Sequence, residues 1–277
     1  MYRVLLRNVY GKMSYLYFTT ILLLGFLLIT CKLKSSTSMI NNNEHHTFSL
    51  NRTVQKHNDQ SKDVKPVQMI RCYVFLLILT SPKGVLRRKA MRETWLKYEL
   101  DHFKVERRFV VGTKDLSSIT TKELKEEQSK YSDILLLEDF KDSYFKLTEK
   151  LIRSLLWVDG NINAKFVMKL DDDTFVRLDK LLPSISKKES RKRTYWGFFR
   201  GNARIKRTGP WKEPGWFLSD HYIPYALGGG YIISMDLVKY IARNANYLSL
   251  YNSEDVSLGE FYSSYFIEIS KSKYIYY

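Results

Sequence analysis

Hydrophobic positions along the chain fall into three regimes. Residues 13–31, MSYLYFTTILLLGFLLITC, run for 19 positions without a charged side chain. Residues 32–68 are rich in Ser, Thr, Asn, Lys and Gln and show no apolar period. From Met69 onward, short apolar runs alternate with amphipathic stretches. At about 1.5 Å per residue the first segment just crosses a hydrocarbon core of about 30 Å. Arg3, Arg7 and Lys12 precede it, and Lys32 and Lys34 follow, a slight bias toward a cytoplasmic N-terminus. The pattern therefore reads as a cytoplasmic tail (1–12), a transmembrane signal-anchor (13–31), a flexible luminal stem (32–68) and a folded domain (69–277). A cleaved signal peptide is the competing reading, although the apolar run exceeds an ordinary h-region and no clear small-x-small site follows. Both readings put the remainder in the secretory pathway. The sequon Asn51-Arg52-Thr53 makes Asn51 a glycosylation candidate in the stem.

Within the folded part, CYVFLLILT (72–80) is a continuous apolar run, as expected of a strand buried on both faces. A helix is expected near 85–98, a strand at ERRFVVG (106–112), a polar helix near 117–130 and a strand at DILLLEDF (133–140). SYFKLTEKLIRSLLWVDG then places Tyr144, Leu147, Leu151, Leu155 and Leu156 at helical spacing, with Gly160 as the stop. AKFVMKL (164–170) alternates, with Phe166, Met168 and Leu170 on one face and Lys165, Val167 and Lys169 on the other. This order predicts an α/β fold with a mostly parallel central sheet and helices on both faces. In such sheets ligands bind beyond the carboxyl ends of the strands.

Composition narrows the partners. The chain carries 45 Lys and Arg against 29 Asp and Glu, a formal charge of +16, which points to an anion: nucleic acid, lipid surface, sulfated glycan or nucleotide. A nucleic-acid role conflicts with the membrane segment. Ten basic residues and one acidic residue, Glu189, lie between Lys187 and Lys212. That stretch is either a solvated loop or a surface that attracts an acidic acceptor. Two cysteines, Cys31 and Cys72, give no readable disulfide framework.

Against that charge, KLDDDTFV (169–176) sets three carboxylates, Asp171, Asp172 and Asp173, at a predicted strand end. Adjacent aspartates repel and lose solvation where partly buried. Either the turn is solvated and an aspartate caps RLDKLL, or Asp171 or Asp173 holds a divalent ion that bridges to a diphosphate. The spacing excludes an EF-hand, and no G-x-x-x-x-G-K-[ST] occurs. NSEDVSLG (252–259) adds a second acidic pair, Glu254 and Asp255, about 80 residues downstream. Gly228, Gly229 and Gly230 precede a predicted strand; they permit close approach to a ligand or form a bulge. Arg87, Arg88 and Arg92 follow the first strand and either pair a diphosphate or form a solvated basic face. Trp211, Trp216 and Tyr225 either stack on acceptor sugars or pack in the core.

RRKAMRETW, FVVGT, EDFKDSYFKLTEKL, KFVMKLDDDTFV, PYALGGGYIIS and EDVSLG occur in that order between about residues 72 and 259. Together they resemble the β1,3-glycosyltransferases of glycosyltransferase family 31. TYWGFF (194–199), EPGWFLSDHYIPYALGGGYIIS (213–234) and NSEDVSLG look most like the branch of β1,3-galactosyltransferases that builds the glycosaminoglycan linkage region. The resemblance implies a GT-A nucleotide-sugar-binding fold, a single-pass type II Golgi membrane protein, UDP-galactose as donor and Mn2+ as cofactor. It implies galactosyl-β1,4-xylose on a proteoglycan serine as acceptor. The metal motif falls on Asp171, Asp172 and Asp173, and the catalytic base on Asp255 with Glu254 beside it. The expected nucleotide contacts are Arg87, Arg88, Arg92, Asp139, Lys169 and Asp172. The expected acceptor contacts are Trp211, Trp216, Tyr225 and the three glycines. Family members usually continue further, with cysteines and often a metal-binding histidine, whereas here none of the five histidines lies beyond His221. The expectation is a truncated chain or one without its last piece of active-site structure. The alternatives are another β1,3-galactosyl- or N-acetylglucosaminyltransferase, or a catalytically impaired relative that acts as a binding protein.

Overall fold

VFLLIL places six apolar residues in succession, and the fold buries all of them in strand β2 (Val74–Leu79). Full burial of each such side chain contributes roughly 1.5–3 kcal/mol. A run this apolar belongs in the middle of a sheet covered on both faces, and β2 lies there. The computed structural model describes residues 68–98, 100, 102–187 and 192–263, together with backbone strands at 268–271 and 275–276. The expected tail, signal-anchor, Asn51 and all but residue 68 of the stem lie outside the described residues. Among the described residues, no helix is long and apolar enough to cross a membrane.

After β1 (Ile70–Arg71) and β2 come α1 (Val85–Glu93), β3 (Val105–Gly112), α2 (Ser118–Tyr131), β4 (Ile134–Leu137), α3 (Leu147–Asn161), β5 (Ile162–Asn163) and β6 (Phe166–Asp171). β7 (Phe175–Val176), α4 (Leu178–Ser186), β8 (Thr194–Arg200), β9 (Tyr225–Ser234), α5 (Met235–Asn244), α6 (Glu254–Ser263), β10 (Glu268–Lys271) and β11 (Ile275–Tyr276) follow. The main sheet has the order β10-β8-β9-β6-β2-β3-β4. β6, β2, β3 and β4 run parallel, β9 runs antiparallel to both β6 and β8, and β10 is parallel to β8. From β2 the chain builds outward through β3 and β4, then returns to place β6 on the other side of β2. The strand order thus reverses at the β2–β6 boundary, where a crevice opens beyond the carboxyl ends.

The predicted α/β order holds, with local differences. The first helix stops at Glu93 rather than near residue 98, and Trp95 and Leu96 turn inward as core residues. Gly160 does not stop α3, which runs to Asn161 before β5 begins. The three glycines lie inside β9 rather than before it. Both faces of β6 are buried, so Lys169 has 1% of its surface exposed, although alternation suggested a polar face. Backbone pairing of β11 with β7, just beyond the aspartates, was not legible in the Tyr- and Lys-rich tail.

α2 begins where Ser117 Oγ accepts from Thr120 N at 3.2 Å, a side-chain cap. Its polar surface hides an ionic lock with α1. Arg88 is fully buried and donates from Nε and Nη2 to Glu127 at 2.9 and 2.6 Å. Arg92 donates to Glu127 at 2.7 Å and, bidentately, to Asp133 at 2.9 and 2.7 Å. Removing one partner of such a buried network strands charge in the interior, at a cost of about 3–5 kcal/mol. Arg88→Met should therefore lower unfolding free energy in urea by that amount, and a loss below about 1 kcal/mol would contradict the lock.

Candidate active site

The aspartates sit on the turn that ends β6, and the fold offsets each one differently. Asp171 pairs in register with Leu79 of β2 and accepts from Lys169 Nζ at 2.9 Å. Asp172 is mostly buried; it accepts from Thr80 Oγ1 at 2.6 Å and from Arg87 Nη1 at 2.7 Å. Asp173 is largely exposed and meets Arg87 at 3.4 Å. The turn is thus neither freely solvated nor electrostatically orphaned. Two cations and a hydroxyl hold it against the end of β2.

A cleft of about 610 Å³ opens there, lined by Thr80, Ser81, Lys83, Arg87, Lys114, Asp142, Lys150 and the three aspartates, among others. It lies beyond the carboxyl ends of β2, β3 and β6. Lys150, from α3, is buried; its Nζ donates to Thr80 O and to Asp142 Oδ1, both at 2.5 Å. Burial pushes its pKa down, and Asp142 opposes that shift. Asp142 also accepts from Gly112 N at 2.6 Å, which ties the cleft floor to the end of β3.

The second acidic pair approaches from α6. Glu254 is buried; Oε2 accepts from Lys169 Nζ at 2.9 Å, and Oε1 accepts from the Tyr231 hydroxyl. Burial pushes its pKa up to about 7, against the pull of Lys169. Asp255 accepts from Gly228 N at 3.0 Å on Oδ2 and from Val256 N at 2.9 Å on Oδ1. Burial raises its pKa too, while Lys169 and those two amides hold it down. Lys169 completes its set by donating to Gly228 O at 2.5 Å. Burial alone would lower the Lys169 pKa, but Asp171 and Glu254 outweigh it and keep the ammonium charged. Thr174 Oγ1 donates to Gly229 O at 2.6 Å. The glycine stretch is thereby fastened to both acidic clusters through its backbone.

The fold brings together Arg87, Lys169, the three aspartates, Glu254, Asp255, Gly228 and Gly229. It does not bring Arg88 or Arg92 to the cleft, because both are committed to Glu127 and Asp133 inside the protein. Asp139 is exposed and does not line the cleft; the carboxylate that does so from the same segment is Asp142. Trp216 and Tyr225 are core residues, packed with Tyr222, Tyr251 and Val256, so they present no stacking face. Trp211 remains exposed. Gly230 pairs with Leu170 as an ordinary sheet residue. Sequence reading missed Thr80, Asp142 and Lys150; the last two stand in EDFKDSYFKLTEKL, where their charges at a strand-to-helix junction were the available signal.

Hard carboxylate oxygens suit Mn2+ or Mg2+. Among the described residues, no group of three or more His, Cys, Asp or Glu is arranged to hold an ion by itself. The partly open Asp171 and exposed Asp173 fit an ion that takes one or two carboxylates and fills its remaining positions from phosphate and water.

Residues 86–273 match the family model described as galactosyltransferase. Beta-1,3-galactosyltransferase 6 of Mus musculus is 44% identical over 193 residues, covering 68% of this chain and 59% of the mouse protein. UDP-GalNAc:beta-1,3-N-acetylgalactosaminyltransferase 2 of Xenopus tropicalis is 37% identical over 137 residues, covering 49% of this chain and 28% of that protein. Among solved structures, a mannosyltransferase from Pyrobaculum calidifontis aligns with a TM-score of 0.43 at 13% identity, over 77% of this chain and 58% of that one. The chain belongs to the galactosyltransferase family. It spans about three fifths of the mouse relative's length.

A Cβ on Gly84 would lie 2.4 Å from Thr80 Oγ1 and 2.9 Å from Asp172 Oδ2, inside the contact that seats the aspartates. Gly84→Ala should cost about 1–3 kcal/mol through overpacking. Gly160→Ala, in helix α3 with nothing within 4 Å, should instead be neutral or stabilise by about 0.5–1 kcal/mol. Urea unfolding of both variants checks the contrast, and equal effects would contradict the close approach at Asp172.

Proposed function

We propose that this chain transfers galactose from UDP-galactose to the 3-hydroxyl of a galactose acceptor, with inversion at the anomeric carbon. The acceptor is galactosyl-β1,4-xylose on a proteoglycan serine, the fold is of the GT-A kind, and the site of action is the Golgi lumen behind an N-terminal anchor. The observation that carries the reading is the single site formed by an acidic turn in a cleft of mixed charge and a second carboxylate pair, joined through one lysine. Family membership supports the reaction class, and the mouse relative's name supports the linkage and the sugar.

The donor is α-linked and the product β-linked, so one in-line displacement suffices. The acceptor O3–C1 bond forms as the bond from C1 to the phosphate oxygen breaks, and its electron pair leaves on UDP. The O3 proton passes to Asp255, whose two oxygens each keep a lone pair after accepting one backbone N–H. Arg87 and Lys83, on the cleft wall, supply positive charge for the departing diphosphate. Asp171 and Asp173 would hold Mn2+, which when bound neutralises charge on the diphosphate. Glu254, whose side chain is only 5% exposed and is held by Lys169 and the Tyr231 hydroxyl, orients rather than accepts a proton.

The direct test is an assay of the full chain with UDP-galactose and a galactosyl-xyloside, with and without Mn2+. A β1,3-linked galactose product is expected, and its absence under both conditions would contradict the reading. Asp255→Asn should lower kcat at least ~10²-fold while UDP binding stays near wild type. A variant retaining more than about a tenth of kcat would remove Asp255 from the base role. The base must be ionised to work, and burial raises its pKa. Transfer should therefore fall on the acid side at a pH above about 3.9, the ordinary aspartate value, and an acid limb at or below it would contradict this environment. Asp171→Ala with Asp173→Ala should abolish Mn2+-dependent UDP binding; unchanged affinity by calorimetry in saturating Mn2+ would rule out the metal assignment.

A further inference from the structure

Lys169 was expected among the nucleotide contacts, but its ammonium is shut away from the cleft with three acceptors around it. Its side chain has 2% of its surface exposed, and Nζ donates to Asp171 Oδ1, Glu254 Oε2 and Gly228 O. Three donors meet three acceptors, which leaves none for a phosphate. The acceptors belong to the two halves of the site. Asp171 faces the cleft, Glu254 begins the helix that carries Asp255, and Gly228 gives its amide to Asp255.

We propose that Lys169 is a positioning residue that fixes the separation between the donor-side carboxylates and the Asp255 base, and so aligns the two halves of the site. Burial of an ammonium is a poor route to stability, because apolar packing of similar volume often does as well or better. What an ammonium adds is direction: it holds a strand end, a helix start and a strand carbonyl in one geometry. In-line displacement depends on such alignment, since a misplacement of about 1 Å can cost ~10² in rate. Glu254 is braced from the other side by Tyr231, which pairs in register with Lys169 across β6 and β9. The Asp255–Gly228 contact therefore depends on Lys169 from two directions, through the Gly228 carbonyl and through the residue before Asp255.

This inference rests on the proposed galactosyl transfer for its kinetic consequence, but its structural consequence is measurable without any substrate. The full chain would be compared with Lys169→Met/Glu254→Gln, which removes both buried charges together and strands neither. Amide hydrogen exchange at Gly228 in ligand-free protein is the first readout; kcat and the KM for UDP-galactose are the second. The double variant is expected to unfold near the wild-type temperature, to exchange the Gly228 amide at least ~10-fold faster, and to lose ~10² in kcat with little change in KM. Wild-type exchange at Gly228 in a variant of wild-type stability would overturn the proposal. So would wild-type kcat. Failure of the wild-type chain to transfer galactose would overturn the reaction instead, and the exchange result would still decide the role of Lys169. Should the double variant not fold, Lys169→Arg keeps the charge on a longer planar fork and carries the same readouts, with the same deciding outcomes.

Discussion

One buried ammonium organises the site. Lys169 enters the interior on β6 and offsets Asp171 and Glu254 at 2.9 Å each, two carboxylates that would otherwise repel across a poorly solvated gap. Without that charge, α6 could not bring Glu254 and Asp255 beside the end of β6 at tolerable electrostatic cost. Glycines on β9 and α6 serve the same closeness. A Cβ on Gly228 would lie a tight 3.2 Å from Glu254 Oε2, and one on Gly259, in α6, would lie 2.7 Å from the Tyr225 Cβ, so the close seat of α6 on β9 requires glycine at position 259.

The cleft depends on a second layer of buried charge. Arg88 donates to Ser81 O at 2.7 Å as well as to Glu127, fixing the loop between β2 and α1. Arg87, its neighbour in sequence, then faces the other way, toward Asp172 and Asp173. Adjacent arginines on a helix point about 100° apart, so one can lock the helix while the other serves the site. Lys150 and Asp142, which also line the cleft, brace Thr80 O and Gly112 N at the ends of β2 and β3.

Much of this was legible in the residues. The apolar run of β2, the alternation of β6 and the polar helix α2 gave the parallel half of the sheet. The aspartates stood out by contrast with a basic chain. Partnership was not legible. Arg87, Arg88 and Arg92 are identical in type, and only three-dimensional packing assigns one to the cleft and two to Glu127 and Asp133. Trp216 and Tyr225 likewise look like sugar platforms until the cluster with Tyr222 and Tyr251 covers them. Lys169 lay on the face of β6 that alternation marked as polar, and nothing local reveals that β9 and α6 bury it.

In the proposed transfer the two acidic clusters act as one site, with diphosphate on the Asp171 side of Lys169 and the acceptor hydroxyl on the Asp255 side. A crystal structure of the full chain with UDP and Mn2+ bound tests that division most directly. The diphosphate is expected in the cleft beyond β2 and β6, with a cation on Asp171 or Asp173 and Asp255 free of any contact with the nucleotide phosphates. A nucleotide seated outside that cleft, or a diphosphate held by Asp255, would contradict it.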